Sequence, residues 1–143
     1  ASQDVALLLD VLPPGASMPL AVPFQGPLPL DVRPQVRILT AMRVPSNTPR
    51  YLRAVTHNTL TQVSWSGRAA DVSGEVLLQS GVANATQIWL AAMAYDDAGR
   101  LVGWRRWESS VGLAAGTSMP FHTSVYSLAG RIDRVDLVVQ ARP

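Results

Sequence analysis

The chain has no cysteine and no lysine among its 143 residues. The first absence removes disulfides, thiolate metal sites and a cysteine nucleophile. The second puts all twelve basic charges on arginine, which reads as a GC-rich coding sequence rather than a functional signature. Net charge is only +2 and the arginines are scattered, so the basic stripe of a nucleic-acid-binding surface is missing. No run approaches the ~20 apolar residues of a membrane span, and the stretch from Trp89 to Ala94 is far too short. The first residues lack the charged, apolar and cleavage regions of a secretory leader. No window carries a 3.6-residue apolar stripe, so helices are not expected. A chain of this size can bury roughly 68–70% of its unfolded surface, enough for a core without covalent staples.

What is present is alternation and an internal echo. PGASMPL at 14–20 returns as AGTSMPF at 115–121. Leu12, Gly15, Ser17, Met18, Pro19 and Leu20 face Leu113, Gly116, Ser118, Met119, Pro120 and Phe121. Beyond the echo, Met18, Leu20, Val22 and Phe24 fall on one parity, as do Met119, Phe121, Thr123 and Val125. A period of two marks half-buried strands, because successive side chains point to opposite faces. Gly15 and Gly116 stand where a turn needs positive φ, and Pro19 and Pro120 belong at a strand start or sheet edge. A second alternating stretch follows each: Val36, Ile38, Thr40 and Met42, then Val135, Leu137, Val139 and Ala141. The reading is a duplicated β-hairpin, of which only the second copy is preceded by a run of further strands. Coincidence between two hairpins of similar turn chemistry is the competing explanation.

Residues 50–143 read as about seven short strands, which argues for an antiparallel β-sandwich. They begin at Tyr51–His57 and Thr61–Ser66 and continue through a loosely patterned strand with Val72, Gly74, Val76, Leu78 and Val82, where glycines suggest a bulge. Ile88–Tyr95, Arg100–Trp107, 118–126 and 132–141 complete the set. Asp96-Asp97-Ala98-Gly99 is a hairpin loop with Gly99 at its left-handed position. The order of elements resembles the FxLYD-type domains, immunoglobulin-like sandwiches of bacterial and archaeal envelope proteins. The carrying stretches are SGVANAT (80–86), AMAYDDAGRLVG (92–103) and GTSMPF (116–121), with Ala92 and Ala94 where that family has Phe and Leu. The resemblance implies an extracytoplasmic, non-catalytic module and supplies no catalytic residues.

The strand 88–95 is apolar on both faces, with Ile88, Leu90, Ala92 and Ala94 opposite Trp89, Ala91, Met93 and Tyr95. A sandwich strand with one wet face alternates with polar residues. A cover for the second face is therefore expected from the N-terminal arm or another subunit. Nine of the eleven prolines lie in residues 1–49, where PFQGPLPL (23–30) reads as an extended connection.

Candidate chemistry is sparse. His57 and His122 are the only histidines, and His122 falls on the polar parity of its strand. A metal site built on them would need a carboxylate close by. Asp96 and Asp97 point apart and read as turn caps, with too few oxygens nearby for calcium. Ser118 lacks the strand-to-helix setting of a nucleophile elbow. Asn84-Ala85-Thr86 is a glycosylation triplet, read here as a turn. In GWRRWESS (103–110), Trp104 and Arg106 share one face and Arg105 and Trp107 the other. One pair is expected toward the core and the other outward, where Trp and Arg suit a protein interface or a sugar ring, although a cation–π pair bracing the strand accounts for them equally well.

The sequence is thus read as an antiparallel immunoglobulin-like β-sandwich (50–143) with a Pro-rich N-terminal β-arm or partial repeat (1–49). The expected function is a non-enzymatic structural, assembly or protein–protein interaction module of an exported envelope or surface protein. The expected partner is another protein or a second copy, joined through edge strands and the arm. Nucleic acid, cofactor and metal are not expected, and membrane contact is expected only through an upstream anchor. The interaction residues assigned are Trp104, Arg105, Arg106, Trp107, Trp89 and Met93. The alternative is a carbohydrate-binding module using Trp104 or Trp107 as an exposed tryptophan.

Overall fold

The structure, a computed structural model, describes residues 4–12, 17–20, 22, 31–33, 35–45 and 50–143. Among them are six strands and no helix: β1 (Ala54–Val63), β2 (Ala69–Leu78), β3 (Gln87–Tyr95), β4 (Leu101–Ser109), β5 (Ser118–Tyr126) and β6 (Arg134–Arg142). They form two three-stranded antiparallel sheets, β1-β2-β5 and β4-β3-β6. β1 lies across from β6 and β5 across from β4. The inward rows follow the expected alternation. Val72, Val76 and Leu78 of β2 and Phe121 and Val125 of β5 meet Ile88, Leu90, Ala92 and Ala94 of β3 in one core. His122, on the opposite parity, is exposed.

Two of the expected strands are one. β1 runs through the bend, where its register with β2 slips between His57 and Leu60. Asn58 takes φ 50° there, a left-handed conformation that Asn tolerates better than most residues. The bulge presses on Gly74 of β2, where a Cβ would lie 3.1 Å from both the His57 carbonyl oxygen and Thr59 Cα. Glycine in that strand therefore marks a bulge on its neighbour. Gly99 and Gly116 have the positive φ their turns require, and Pro120 sits on β5, a sheet edge.

Among the described residues the repeat is not reproduced as strands. Ser17–Leu20 and Val22 form no strand, and neither do residues 35–45. The physical reason is the lack of neighbours. β5 exists by pairing with β2, and β6 by pairing with β3; among the described residues no strand pairs with 17–20 or with 35–45. Gly15, Phe24 and the connection 23–30 lie outside the described residues.

Candidate functional site: the arm-covered face of the second sheet

The outward face of β3 is covered, and the chain's own N-terminal arm provides the cover. Leu9 is completely buried against Trp89 and Ala91, with Leu8, Met18 and Tyr51 around them. Burying one leucine side chain is worth about 2 kcal/mol, which helps to offset the entropy of ordering the arm. Polar contacts fix its position. The Gln140 side-chain oxygen accepts from Asp10 N (3.2 Å) and Val11 N (3.4 Å), while its amide donates to the Val11 carbonyl. A side-chain amide thereby pairs with the arm's backbone as a strand would. Asp10 also takes an ion pair from Arg142.

Trp89 is the centre of this face. The Arg142 guanidinium lies 4.2 Å from its ring centroid and that of Arg106 5.5 Å away, on a strand to either side. Arg142 also reaches the Tyr51 ring (5.6 Å) and donates to its hydroxyl. The Trp89 indole N–H aims at Glu108 without completing a hydrogen bond. With Gln87 donating at 2.6 Å and Arg106 close by, it holds the Glu108 carboxyl below the usual carboxylate range. Met93, further along the same face, is buried beside the Tyr95 hydroxyl, 4.0 Å from its sulfur.

The tandem Trp-Arg residues divide by face. Trp107 turns inward, its ring 6.0 Å from that of Phe121, and Arg105 on the same parity is exposed. Trp104 and Arg106 lie on the outer face. Arg106 is exposed and pairs with Glu108 at 3.4 Å. Trp104 is half-buried at a small recess lined also by Leu7, Leu8, Pro19, Leu20 and Leu101. So Trp89, Met93, Trp104 and Arg106 are brought onto one face, with Arg105 and Trp107 directed away from it. The sequence reading passed over three residues that matter here. Leu9 lay in an apolar run of the arm. Gln140 gave no signal, because a lone glutamine is common on strands. Trp65, in the loop between β1 and β2, is 95% exposed.

The other sheet's outer face carries the histidines. His57 Nε2 lies 3.3 Å from Glu75 Oε2, and Ser118 Oγ donates to the same oxygen at 2.7 Å. The carboxylate stands between hydroxyl and imidazole, which is not the order of a Ser-His-Asp triad, where the imidazole itself contacts the serine hydroxyl. Among the described residues no three His, Asp or Glu side chains gather as a metal site. The charged turn behaves as a cap. Asp96 Oδ1 accepts from the amides of Ala98 (3.1 Å) and Arg100 (2.8 Å), and Oδ2 from the Arg100 guanidinium (2.8 Å). Those donors, led by the Arg100 side chain, hold the Asp96 carboxyl below its ordinary value.

No protein-family model matches the chain, and neither a curated protein nor a solved structure matches it.

Proposed function

We propose that the chain is a non-enzymatic assembly module of an exported cell-envelope or surface protein, built on an immunoglobulin-like sandwich. It joins a protein partner or further copies of itself through its arm and free sheet edges. The immunoglobulin-like reading is supported by the pairing scheme. β1-β2-β5 and β3-β6 correspond to strands A-B-E and C-F of such sandwiches, with β4 added beside C. The exported setting rests on the resemblance carried by residues 80–86, 92–103 and 116–121.

One observation carries the assembly reading. The arm clamped by Gln140 continues into a segment that displays Val36, Ile38, Leu39 and Met42 to solvent. Apolar side chains clustered this way mark an interaction surface. Sedimentation of the intact chain, alone and with extracts of its native envelope, is expected to show oligomers or a complex that deletion of residues 1–40 abolishes. A monomer with and without the arm, free of any partner, refutes the reading.

A second reading, glycan binding, is favoured by Trp65, the one tryptophan whose ring is fully offered to solvent.

A further inference from the structure

Residues 36–43 have the composition of a strand and no neighbour. Val36, Ile38, Thr40 and Met42 alternate with Arg37, Leu39, Ala41 and Arg43. Yet the backbone from 35 to 45 is irregular, and Val36, Ile38 and Met42 are 76%, 77% and 80% exposed. Such a segment satisfies both its backbone and its apolar row by adding to a sheet edge.

Among the described residues four strands stand at sheet edges: β1 and β5 in one sheet, β4 and β6 in the other, with the end of β6 bridged by Leu52. Charge separates the sheets. β4 and β6 carry Arg105, Arg106, Arg134 and Arg142 against only Glu108 and Asp136, an excess of positive charge that opposes a segment bearing Arg37 and Arg43 and no acid. The sheet β1-β2-β5 contains Asp71 and Glu75 and no arginine or lysine. Within that sheet, β5 is interrupted by Pro120, which offers no ladder donor, whereas β1, although bulged between His57 and Leu60, keeps its ladder donors and includes neither proline nor a charged carboxylate, arginine or lysine. β1 also leaves Val55, Leu60 and Val63 exposed. Across from it, the core-facing Val135, Leu137 and Val139 of β6 are only half-buried. A strand added beside β1 would extend over that row.

The chain's own segment is poorly placed to do this. Leu52 pairs with Ala141 at the end of β6, its amide donating to the Ala141 carbonyl at 2.8 Å. The chain therefore reaches β1 from the opposite sheet at Leu52 rather than along the β1 edge.

We propose that residues 36–43 of one copy add as a strand to the β1 edge of a second copy, with Val36, Ile38 and Met42 on the core side and the two arginines over the acidic outer face. This rests on the assembly reading and names its partner as the same chain. The test is the mass of the intact chain in solution, together with hydrogen exchange. The mass is expected to rise with concentration toward twice 15.4 kDa. Amides of 36–43 and the β1 edge should slow together, by about tenfold or more in the dimer.

Ile38→Pro removes a ladder donor and Leu60→Lys charges the edge. Both sites are exposed, so each variant should keep the circular dichroism of the intact chain while remaining monomeric. An intact chain that stays monomeric overturns the proposal, as does a dimer that survives either substitution or protection of 36–43 in the monomer. If the substitutions leave an oligomer that deletion of 1–40 dissolves, the assembly reading stands and only the assignment to 36–43 on β1 falls.

Discussion

Arg142 holds its guanidinium 4.2 Å from the centroid of the Trp89 ring, and the same side chain pairs with Asp10 of the arm. One residue of β6 therefore serves the sheet face and the segment that covers it. Removing the indole takes away both the shelf under Leu9 and the surface for two arginines. Trp89→Ala is expected to lower unfolding free energy by about 3 kcal/mol, as large truncations in packed sites do. It should also release the arm, so limited proteolysis between residues 4 and 20 should become fast while β1–β6 stay resistant. Slow cleavage of the variant's arm would show that the polar contacts from Gln140 and Arg142 suffice to hold it.

Close approach of two backbones makes a second prediction. A Cβ at Gly103 would fall well inside van der Waals contact with the Tyr126 carbonyl oxygen. The neighbouring Val102 carbonyl accepts from the Leu128 amide at 2.8 Å, which fixes the separation between β4 and the chain leaving β5. Gly103→Ala is expected to cost about 2 kcal/mol in chemical denaturation, the range of overpacking. Gly81→Ala meets no atom within 4 Å but keeps φ +78°, so its cost should be that of the left-handed conformation alone, about 1 kcal/mol. Equal losses at the two sites would contradict the assignment of a steric contact at Gly103.

These cases show what was legible in the sequence. The inward rows were readable because a strand with one dry side writes burial as alternation, and Phe121, Thr123 and Val125 obey it. The doubly apolar β3 announced that something covers it. The arm was one of the two covers expected, but which of its residues do the covering was not readable, since Leu9 reaches Trp89, and Asp10 reaches Gln140 130 positions away, only once the chain folds back. The echo misled for a related reason. Local pattern specifies a strand's faces, but a strand persists only beside another, and 36–43 has the first property without the second. The Trp-Arg run showed which residues share a face without showing that Trp107 would take the inward side.

Acid should weaken the fold partly through the β3–β4 turn. The Asp96 carboxyl is held below its ordinary 3.8 by the Arg100 side chain first and by backbone amides next. A depressed folded-state value means the carboxylate contributes stability above its unfolded pKa, and the contribution is lost as pH falls through the folded value. Denaturation midpoints of the intact chain should therefore decline between about pH 5 and about pH 2. Asp96→Asn, which cannot titrate, should be less stable at neutral pH and show a shallower decline over the same window. An unchanged slope would place the acid sensitivity elsewhere, with Glu108 the next carboxylate to examine.

Trp65 is 95% exposed, whereas Trp89 is buried and Trp104 and Trp107 are half-buried. Its loop is held in place: the Ser64 carbonyl accepts from the Gly67 amide at 2.8 Å, and the Trp65 carbonyl accepts from Arg131 at 3.2 Å. The ring is thus presented by an ordered turn without contributing to the core. Trp65→Ala should change stability by less than about 0.5 kcal/mol, as surface substitutions do. It should remove the red-shifted, acrylamide-quenchable part of the emission and leave the blue part. If the exposed ring stacks on sugar, soluble oligosaccharides should shift the emission of the intact chain, and Trp65→Ala should abolish the shift. A panel of neutral and acidic oligosaccharides that leaves the intact chain's emission unmoved removes the glycan reading and leaves Trp65 as a contact for protein.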